Sequence, residues 1–198
     1  MKLVVCVVCL CIIINFVYCT ISRDIAITAV TNDGHSITDL PNEFKNDREI
    51  ILLAVKSNGD ALKHLDEFFK NDKEVVSTAV LNHFIGSPLA YASNCLKSDR
   101  EFIKTLVVKK GYCLEYAHEM LRDDKEIVMM ALDSGYYIFK YVSERLRNDK
   151  EVVWKALESC WSNNNVLDYV GKDILSDEEI VKKAIQKGYP LKKLKARL

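Results

Sequence analysis

A short phrase recurs seven times along this chain and constrains its fold more than any other feature. Most copies have an acidic residue, a Lys or Arg, a Glu and two aliphatic residues, as in Asp149-Lys150-Glu151-Val152-Val153. The copies begin at Ser22, Asp47, Asp72, Asp99, Asp124, Asp149 and Asp177, so the spacings are 25, 25, 27, 25, 25 and 28 residues. A period of this length is typical of a stacked array of small helical units.

The first half of each unit is predicted to be a helix. We number positions forward from the first residue of the phrase, position 0, and backward from the start of the next unit. The residue before the start, such as Asn46 or Asp123, is predicted to cap the helix, with Glu three residues later completing a capping box. Apolar residues follow at +3, +4, +7 and +8, which lie on one helical face. Position +7 is Ala except at Leu106, and small residues there predict close helix packing.

The second half of each unit is predicted to be another helix, reached through a turn. Glycines recur at this turn and are predicted to end the first helix with a positive φ; they are Gly34, Gly59, Gly86, Gly111, Gly135 and Gly188. Apolar residues then fall at −10, −7 and −3, which is helical spacing. A single pair of helices cannot bury these faces, but a stack can. The sequence therefore predicts an all-α solenoid of about seven 25-residue helix-turn-helix repeats.

The phrase also resembles a known repeat. The stretches Leu146-Arg147-Asn148-Asp149-Lys150-Glu151-Val152-Val153 and Leu121-Arg122-Asp123-Asp124-Lys125-Glu126-Ile127-Val128 are similar to the short helical repeats known as domain of unknown function four-one-one-six. The resemblance covers about residues 22 to 198. It implies a helical repeat fold, and it carries no established activity and no catalytic residues.

The first 19 residues differ in character from the rest of the chain. Residues 3–19 are apolar apart from Asn15, follow Lys2, and end with Val17 and Cys19 at a spacing that signal peptidase tolerates. Residues 1–19 are therefore interpreted as a signal peptide, which predicts a protein that is secreted or lies in the endomembrane lumen. The alternative is an uncleaved signal anchor and a single-pass membrane protein. Residues 20–198 are predicted to form a single helical repeat domain.

Composition and motifs give no support for catalysis. Lys plus Arg and Asp plus Glu number 28 each, so no nucleic-acid partner is expected from charge. A membrane partner is expected only if the N-terminal segment stays uncleaved. The four histidines share no position in the repeat, and no paired His or Cys spacing predicts a metal site. Nucleophile and phosphate-binding motifs are absent from the sequence. We therefore predict no enzyme activity, no catalytic residue and no cofactor.

Two features are candidates for binding a partner. The turn between the two helices is longer in the third and sixth units, and it carries His83, Phe84, Ile85, Trp161, Asn163, Asn164 and Asn165. Long turns that project from one edge of a stack are common binding loops. Tyrosines also recur at −8, as Tyr91, Tyr116, Tyr141 and Tyr169. These could grip a peptide or stack on bases, but a partly buried packing role is favoured.

These observations favour a non-enzymatic protein-interaction or scaffold module whose protein partner is unknown. The alternative is a membrane-anchored structural repeat protein with an uncleaved N-terminal span. The first residue of the isolated protein distinguishes the two hypotheses, because cleavage would place it at or near Thr20.

Overall fold

The computed structural model describes residues 22–82, 87–159 and 165–197, and all its regular elements in those ranges are helical. The first half of each unit is an α-helix, which we call the A helix. The A helices are Arg23–Asn32, Arg48–Ser57, Lys73–Asn82, Arg100–Lys109, Lys125–Leu132, Lys150–Glu158 and Glu178–Gln186. The predicted number and phase of the units are confirmed.

The second half of each unit is not one continuous helix, so that part of the prediction was wrong. Units 1 to 6 have a 3₁₀ segment followed by a short α-helix. The 3₁₀ segments are Gly34–Asp39, Gly59–His64, Pro88–Tyr91, Gly111–Tyr116, Tyr136–Tyr141 and Val166–Tyr169. The short helices are Asn42–Lys45, Glu67–Lys70, Asn94–Ser98, Glu119–Arg122, Glu144–Arg147 and Lys172–Leu175, and unit 7 ends in the helix Leu191–Arg197.

The break has a cause in the backbone hydrogen bonds between units. The residue at −7 is extended, as at Ala117 with φ −68° and ψ 151°, and the residue at −6 starts the short helix. The −6 N–H donates to a carbonyl of the preceding unit, as from His118 to Lys97 (2.9 Å) and from Ser143 to Arg122 (3.0 Å). A continuous helix would use this N–H internally. The break therefore turns an intrahelical bond into a bond between units.

The molecule has two layers. Neighbouring A helices pack against each other along the stack, the 3₁₀ segments do the same beside them, and the two layers pack together. The core lies between the layers. Positions +3, +4, +7 and +8 are all buried in units 2 to 6, and −10, −7 and −3 are buried in units 1 to 6 except for the half-buried Phe44. The predicted core is confirmed. The terminal units expose Ile25 and Ile185.

The cap of the A helix lies one residue later than predicted. The Asp at position 0 accepts from first-turn amides, as Asp124 does from the N–H groups of Glu126 (3.0 Å) and Ile127 (3.2 Å). The residue at −1, predicted as the cap, instead bonds the following unit. Asn148 accepts from the Gly171 N–H at 2.6 Å. Both residues are good caps, and the one closer to the helix takes that role.

An ion-pair ladder joins the units along the edge where the A helices begin. The cation at +1 of each unit reaches the Asp at position 0 of the next unit and usually its Glu at +2. Thus Lys125 lies 2.9 Å from Asp149 and 2.7 Å from Glu151. The cations are Arg23, Arg48, Lys73, Arg100, Lys125 and Lys150. Unit 7 has Glu178 at +1, and unit 1 has Ser22 at position 0, so neither terminal unit offers the missing half of a further rung.

The ladder predicts that the fold loses stability in acid. The bond from the neighbouring cation is the main influence that lowers the pKa of Asp47, Asp99 and Asp177 below 3.8. At Asp124 burial raises the pKa, but the bonds from Arg100 and the Ile127 N–H outweigh it and the net shift is downward. A carboxyl with a lowered folded pKa stabilises the fold above the unfolded pKa, and this contribution is lost as the pH falls through the folded value. We expect the melting temperature to fall steeply below about pH 4.

The measurement is a thermal melt followed by circular dichroism from pH 7 to pH 2. Asp124→Asn is the comparison, because its amide oxygen can still accept the capping bonds while it has lost the carboxylate that pairs with Arg100. Its melting temperature should depend less on pH than that of the wild type. Identical pH profiles for the two proteins would contradict a role for Asp124 in acid sensitivity.

Candidate functional site

Similar side chains recur once per unit on the outer face of the 3₁₀ layer. The tyrosine row comprises the −8 residues His64, Tyr91, Tyr116, Tyr141 and Tyr169. Tyr91, Tyr116 and Tyr141 are half-buried and pack against the core, as predicted, whereas Tyr169 is 40% exposed. The row is continuous, since the pKa of Tyr116 is raised by burial and then by its neighbours Glu115, Tyr141 and Tyr91. Its hydroxyl is therefore protonated at neutral pH and available as a hydrogen-bond donor.

A second row consists of cations. The basic row comprises the −2 residues Lys45, Lys70, Lys97, Arg122 and Arg147, all of them half-buried. Lys70 pairs with Glu67 at 3.0 Å, and Lys97 donates to the carbonyl of Ala90 at 2.5 Å. Desolvation of the half-buried Lys97 lowers its pKa. The basic row therefore keeps its aliphatic stems in the protein while its charges lie near the surface.

The two rows lie side by side. Between units 1 and 2, Lys45 and His64 line the same depression, together with Ile37 and Asp66. In units 4 and 5 the Arg122 carbonyl accepts from the N–H of Ser143, two residues after Tyr141. A cation of one unit is thus next to the aromatic residue of the following unit. This register is repeated along the stack, so Arg122 belongs with Tyr141 and Arg147 with Tyr169.

Two arginines of the basic row have no partner in the described part of the chain. The Nε atoms of Arg122 and Arg147 are buried without a hydrogen bond. Other arginines of the same surface are paired, as Arg145 is with Asp123 at 3.1 Å. Buried polar groups in proteins are almost always hydrogen-bonded, so each exception calls for an explanation. A ligand that carries an acceptor is one such explanation.

One further cation lies over the tyrosine row. Lys140 has its Nζ 4.6 Å from the centre of the Tyr141 ring, and the bond to Tyr141 raises the pKa of this lysine. Lys140 also lines a depression between units 5 and 6 with Tyr137, Tyr169 and Asn165. Aromatic and basic groups therefore converge at this point of the face.

The predicted loop residues mostly lie outside the described residues. This applies to His83, Phe84, Ile85, Trp161, Asn163 and Asn164, so their role as partner anchors stays a prediction. Asn165 is described and exposed, and it borders the depression beside Tyr169. It is the point at which the predicted loop site meets the tyrosine row.

The described residues contain little that points to chemistry. Within the three described ranges, no group of three or more His, Cys, Asp or Glu side chains is arranged to hold a metal ion. Cys113 is buried, and burial raises the pKa of its thiol to about 12, so it stays protonated at neutral pH. Nor does the described part contain a helix that is both long and apolar enough to cross a bilayer.

The fold defines the class of this protein as an α-helical repeat protein, a solenoid of two-layered units. A family model, Domain of unknown function (DUF4116), matches five overlapping stretches, namely residues 22–70, 48–97, 72–122, 99–144 and 124–173. Because these stretches together cover most of the chain, the chain belongs to this family. None of the curated proteins and none of the solved structures compared with it is a match.

Sequence inspection did not single out the basic row, although the signal was present. Position −2 is Lys or Arg in units 1 to 5 and Leu175 in unit 6. In a predicted continuous helix, such residues lie on a solvated surface and attract no notice. Only the broken geometry, which places −2 of one unit beside −8 of the next, shows that the basic and tyrosine rows form one surface.

Proposed function

We propose that this protein is a non-enzymatic protein-interaction module and that the tyrosine and basic rows form its binding surface. The observation that carries the proposal is the presence, on one face, of a tyrosine row beside a basic row in which two arginines lack partners. Tyr and Arg are the residues most enriched at the energetic centres of protein interfaces. A rigid stack presents such groups at fixed intervals, which suits a linear partner.

Packing alone does not account for the tyrosines. Position −8 is Asp39 in unit 1 and His64 in unit 2, and both units adopt the same fold as the others. The core therefore tolerates a smaller or polar side chain at this position. Binding provides a reason for four consecutive tyrosines that packing does not require. Tyrosine loses little conformational entropy on binding and offers both an apolar ring and a hydroxyl.

Selection of peptides from a random display library tests the proposal. We expect the full-length chain to enrich a set of related peptides. Their affinity should fall at least about tenfold, or about 1.4 kcal/mol, in the double variant Tyr116→Ala and Tyr141→Ala. The matched control is the double variant Met129→Ala and Met130→Ala, which removes two half-buried side chains from the A-helix layer. The control should lose similar stability and keep its binding.

Other outcomes would contradict the proposal. Failure to enrich any related peptides would remove the support for an interaction module. Enriched peptides that tolerate the tyrosine changes but are lost in Phe68→Ser or Met120→Ser would move the surface elsewhere. Phe68 and Met120 are 75% and 73% exposed at position −4 of units 2 and 4, and Phe68 lies beside the ladder residues Asp72 and Lys73.

A further inference from the structure

We infer that the partner of this face is an extended peptide with acidic residues about every third position, bound through Arg122 and Arg147. This inference rests on the proposed function and adds the chemistry of the partner. The starting point is the state of the two guanidinium groups. Each has a buried Nε without an acceptor, and among the described residues neither takes part in an ion pair.

The nearby acids do not satisfy these arginines. Glu119 and Glu144 lie three residues before Arg122 and Arg147, as Glu67 lies three residues before Lys70. Glu67 pairs with its lysine at 3.0 Å, but neither of the other two glutamates comes within 4.0 Å of its arginine. Asp123, also close in sequence, is bound by Arg145 and the Ser143 hydroxyl. The two arginines thus retain their capacity to bind an anion.

A carboxylate fits a guanidinium better than other acceptors do. The planar fork of Arg matches the two oxygens of a carboxylate and forms two parallel hydrogen bonds. The neighbouring tyrosines add hydroxyl donors, and Lys140 over Tyr141 adds a further cation. The groups that line this part of the face are therefore mainly donors. An acidic side chain between Arg122 and Tyr141 would supply the missing acceptor.

The spacing of the units fixes the spacing of the acids. Packed helices lie about 8–10 Å apart, and an extended chain advances about 3.3 Å per residue. One unit of the stack therefore corresponds to about three residues of an extended peptide. Arg122 and Arg147 occupy the same position in consecutive units. A peptide with Glu at every third residue can then meet both arginines at once.

Single-stranded nucleic acid fits this face less well. Bases stack on exposed ring faces, whereas Tyr91, Tyr116 and Tyr141 are half-buried against the core. Binding along a phosphate backbone needs a track of unopposed cations. Here Glu115, Glu119 and Glu144 lie among the cations, and the chain as a whole has no net charge. Local recognition of single carboxylates agrees better with this mixture.

The test is a fluorescence anisotropy titration of the full-length chain. The probe is a labelled twelve-residue peptide made of four Glu-Val-Ser triplets, and the comparison peptides replace every Glu with Gln or with Lys. We expect the Glu peptide to bind at least about tenfold more tightly than either comparison peptide. This contrast needs no change in the protein, so it holds whatever the stability of any variant.

Variants then locate the site. Arg122→Gln and Arg147→Gln should each weaken the Glu peptide by about tenfold. Arg145→Gln is the matched control, since it lies on the same short helix as Arg147 but is 64% exposed and bound to Asp123. It should leave the affinity nearly unchanged. Glu144→Gln should leave it unchanged or increase it, because this change removes a competing negative charge.

Three outcomes would overturn the inference. Equal binding of the Glu and Gln peptides would show that carboxylates are not recognised. An equal loss with Arg145→Gln and Arg147→Gln would show that only net charge matters. Tighter binding of a twelve-nucleotide oligothymidine, dependent on Arg122, would make the face a nucleic-acid surface. If library selection still enriches peptides that are not acidic, the proposed function stands and only the partner chemistry fails.

Discussion

Replacing Ala131 with Asp is expected to cost several kcal/mol of folding free energy, which is enough to unfold much of the stack. Ala131 is fully buried in the A helix of unit 5, and it belongs to the column of small residues at +7. The new carboxyl would have to be buried without a partner or else be protonated at the expense of its solvation. In either case the penalty is about 3–5 kcal/mol, against a total stability of about 5–15 kcal/mol.

Urea denaturation followed by circular dichroism measures this loss. The control is Val108→Asp, which introduces the same side chain in the adjacent A helix at a position that is 62% exposed. Its effect should stay within about 0.5 kcal/mol, as for most surface changes. If the two variants were equally stable, the assignment of +7 as the helix contact would be wrong.

The damage from Ala131→Asp should also be local at first. Each unit of a solenoid contacts only its neighbours, so stability is approximately a sum of units and interfaces. Hydrogen exchange should therefore lose protection in units 4 to 6 before it does so in units 1 and 2. The tyrosine and basic rows would lose order in that same region, because Arg122 and Tyr141 lie in units 4 and 5.

The sequence predicts the core because burial follows a period that a helix converts directly into a face. The Ala column at +7 and the apolar positions at +3, +4 and +8 are all buried in units 2 to 6, with Leu106 as the exception in kind. This prediction needs no knowledge of the partner elements. The hydrophobic pattern alone is sufficient for it.

The second half of each unit is predicted less well because its hydrogen bonds leave the unit. Apolar spacings of 3 and 4 are consistent with one helix, yet the His118 and Ser143 amides bond the preceding unit and divide it. The caps are one residue off for a related reason, since Asp123 and Asp124 are both good caps and only the neighbouring unit distinguishes them. The pairing of the tyrosine and basic rows depends on the same contacts between units, so a linear pattern could not show it.

Replacing Gly111 with Ala is expected to destabilise the fold by about 2–3 kcal/mol, although the change adds only one methyl group. Gly111 begins the 3₁₀ segment of unit 4, and of the described glycines only Gly135 and Gly188 have a positive φ. The predicted reason for a glycine here, a left-handed turn, is therefore wrong for Gly111. The backbone can accept alanine at Gly111, so any loss must come from space.

Space at Gly111 is limited by the next unit. A Cβ at this position would lie 2.4 Å from the carbonyl oxygen of Ala131 and 2.7 Å from the Cβ of Ser134. Neither atom is the end of a flexible side chain, so units 4 and 5 would have to separate. Gly34 stands in the same relation to unit 2, with its added Cβ 2.2 Å from the Ala54 carbonyl. Gly34→Ala should therefore repeat the effect in a different pair of units.

Urea denaturation of Gly111→Ala and Gly34→Ala, with Lys109→Ala as the control, tests this close approach. Lys109 is exposed two residues before Gly111 in the last turn of the same unit's A helix, and its change should cost less than about 0.5 kcal/mol. Stability of Gly111→Ala equal to that of the control would mean that the units are not in contact through this glycine. Because Ala131 supplies the carbonyl that Gly111 faces, the glycine and alanine columns form two sides of one contact. The spacing between units, and with it the separation of Arg122 and Arg147, depends on that contact.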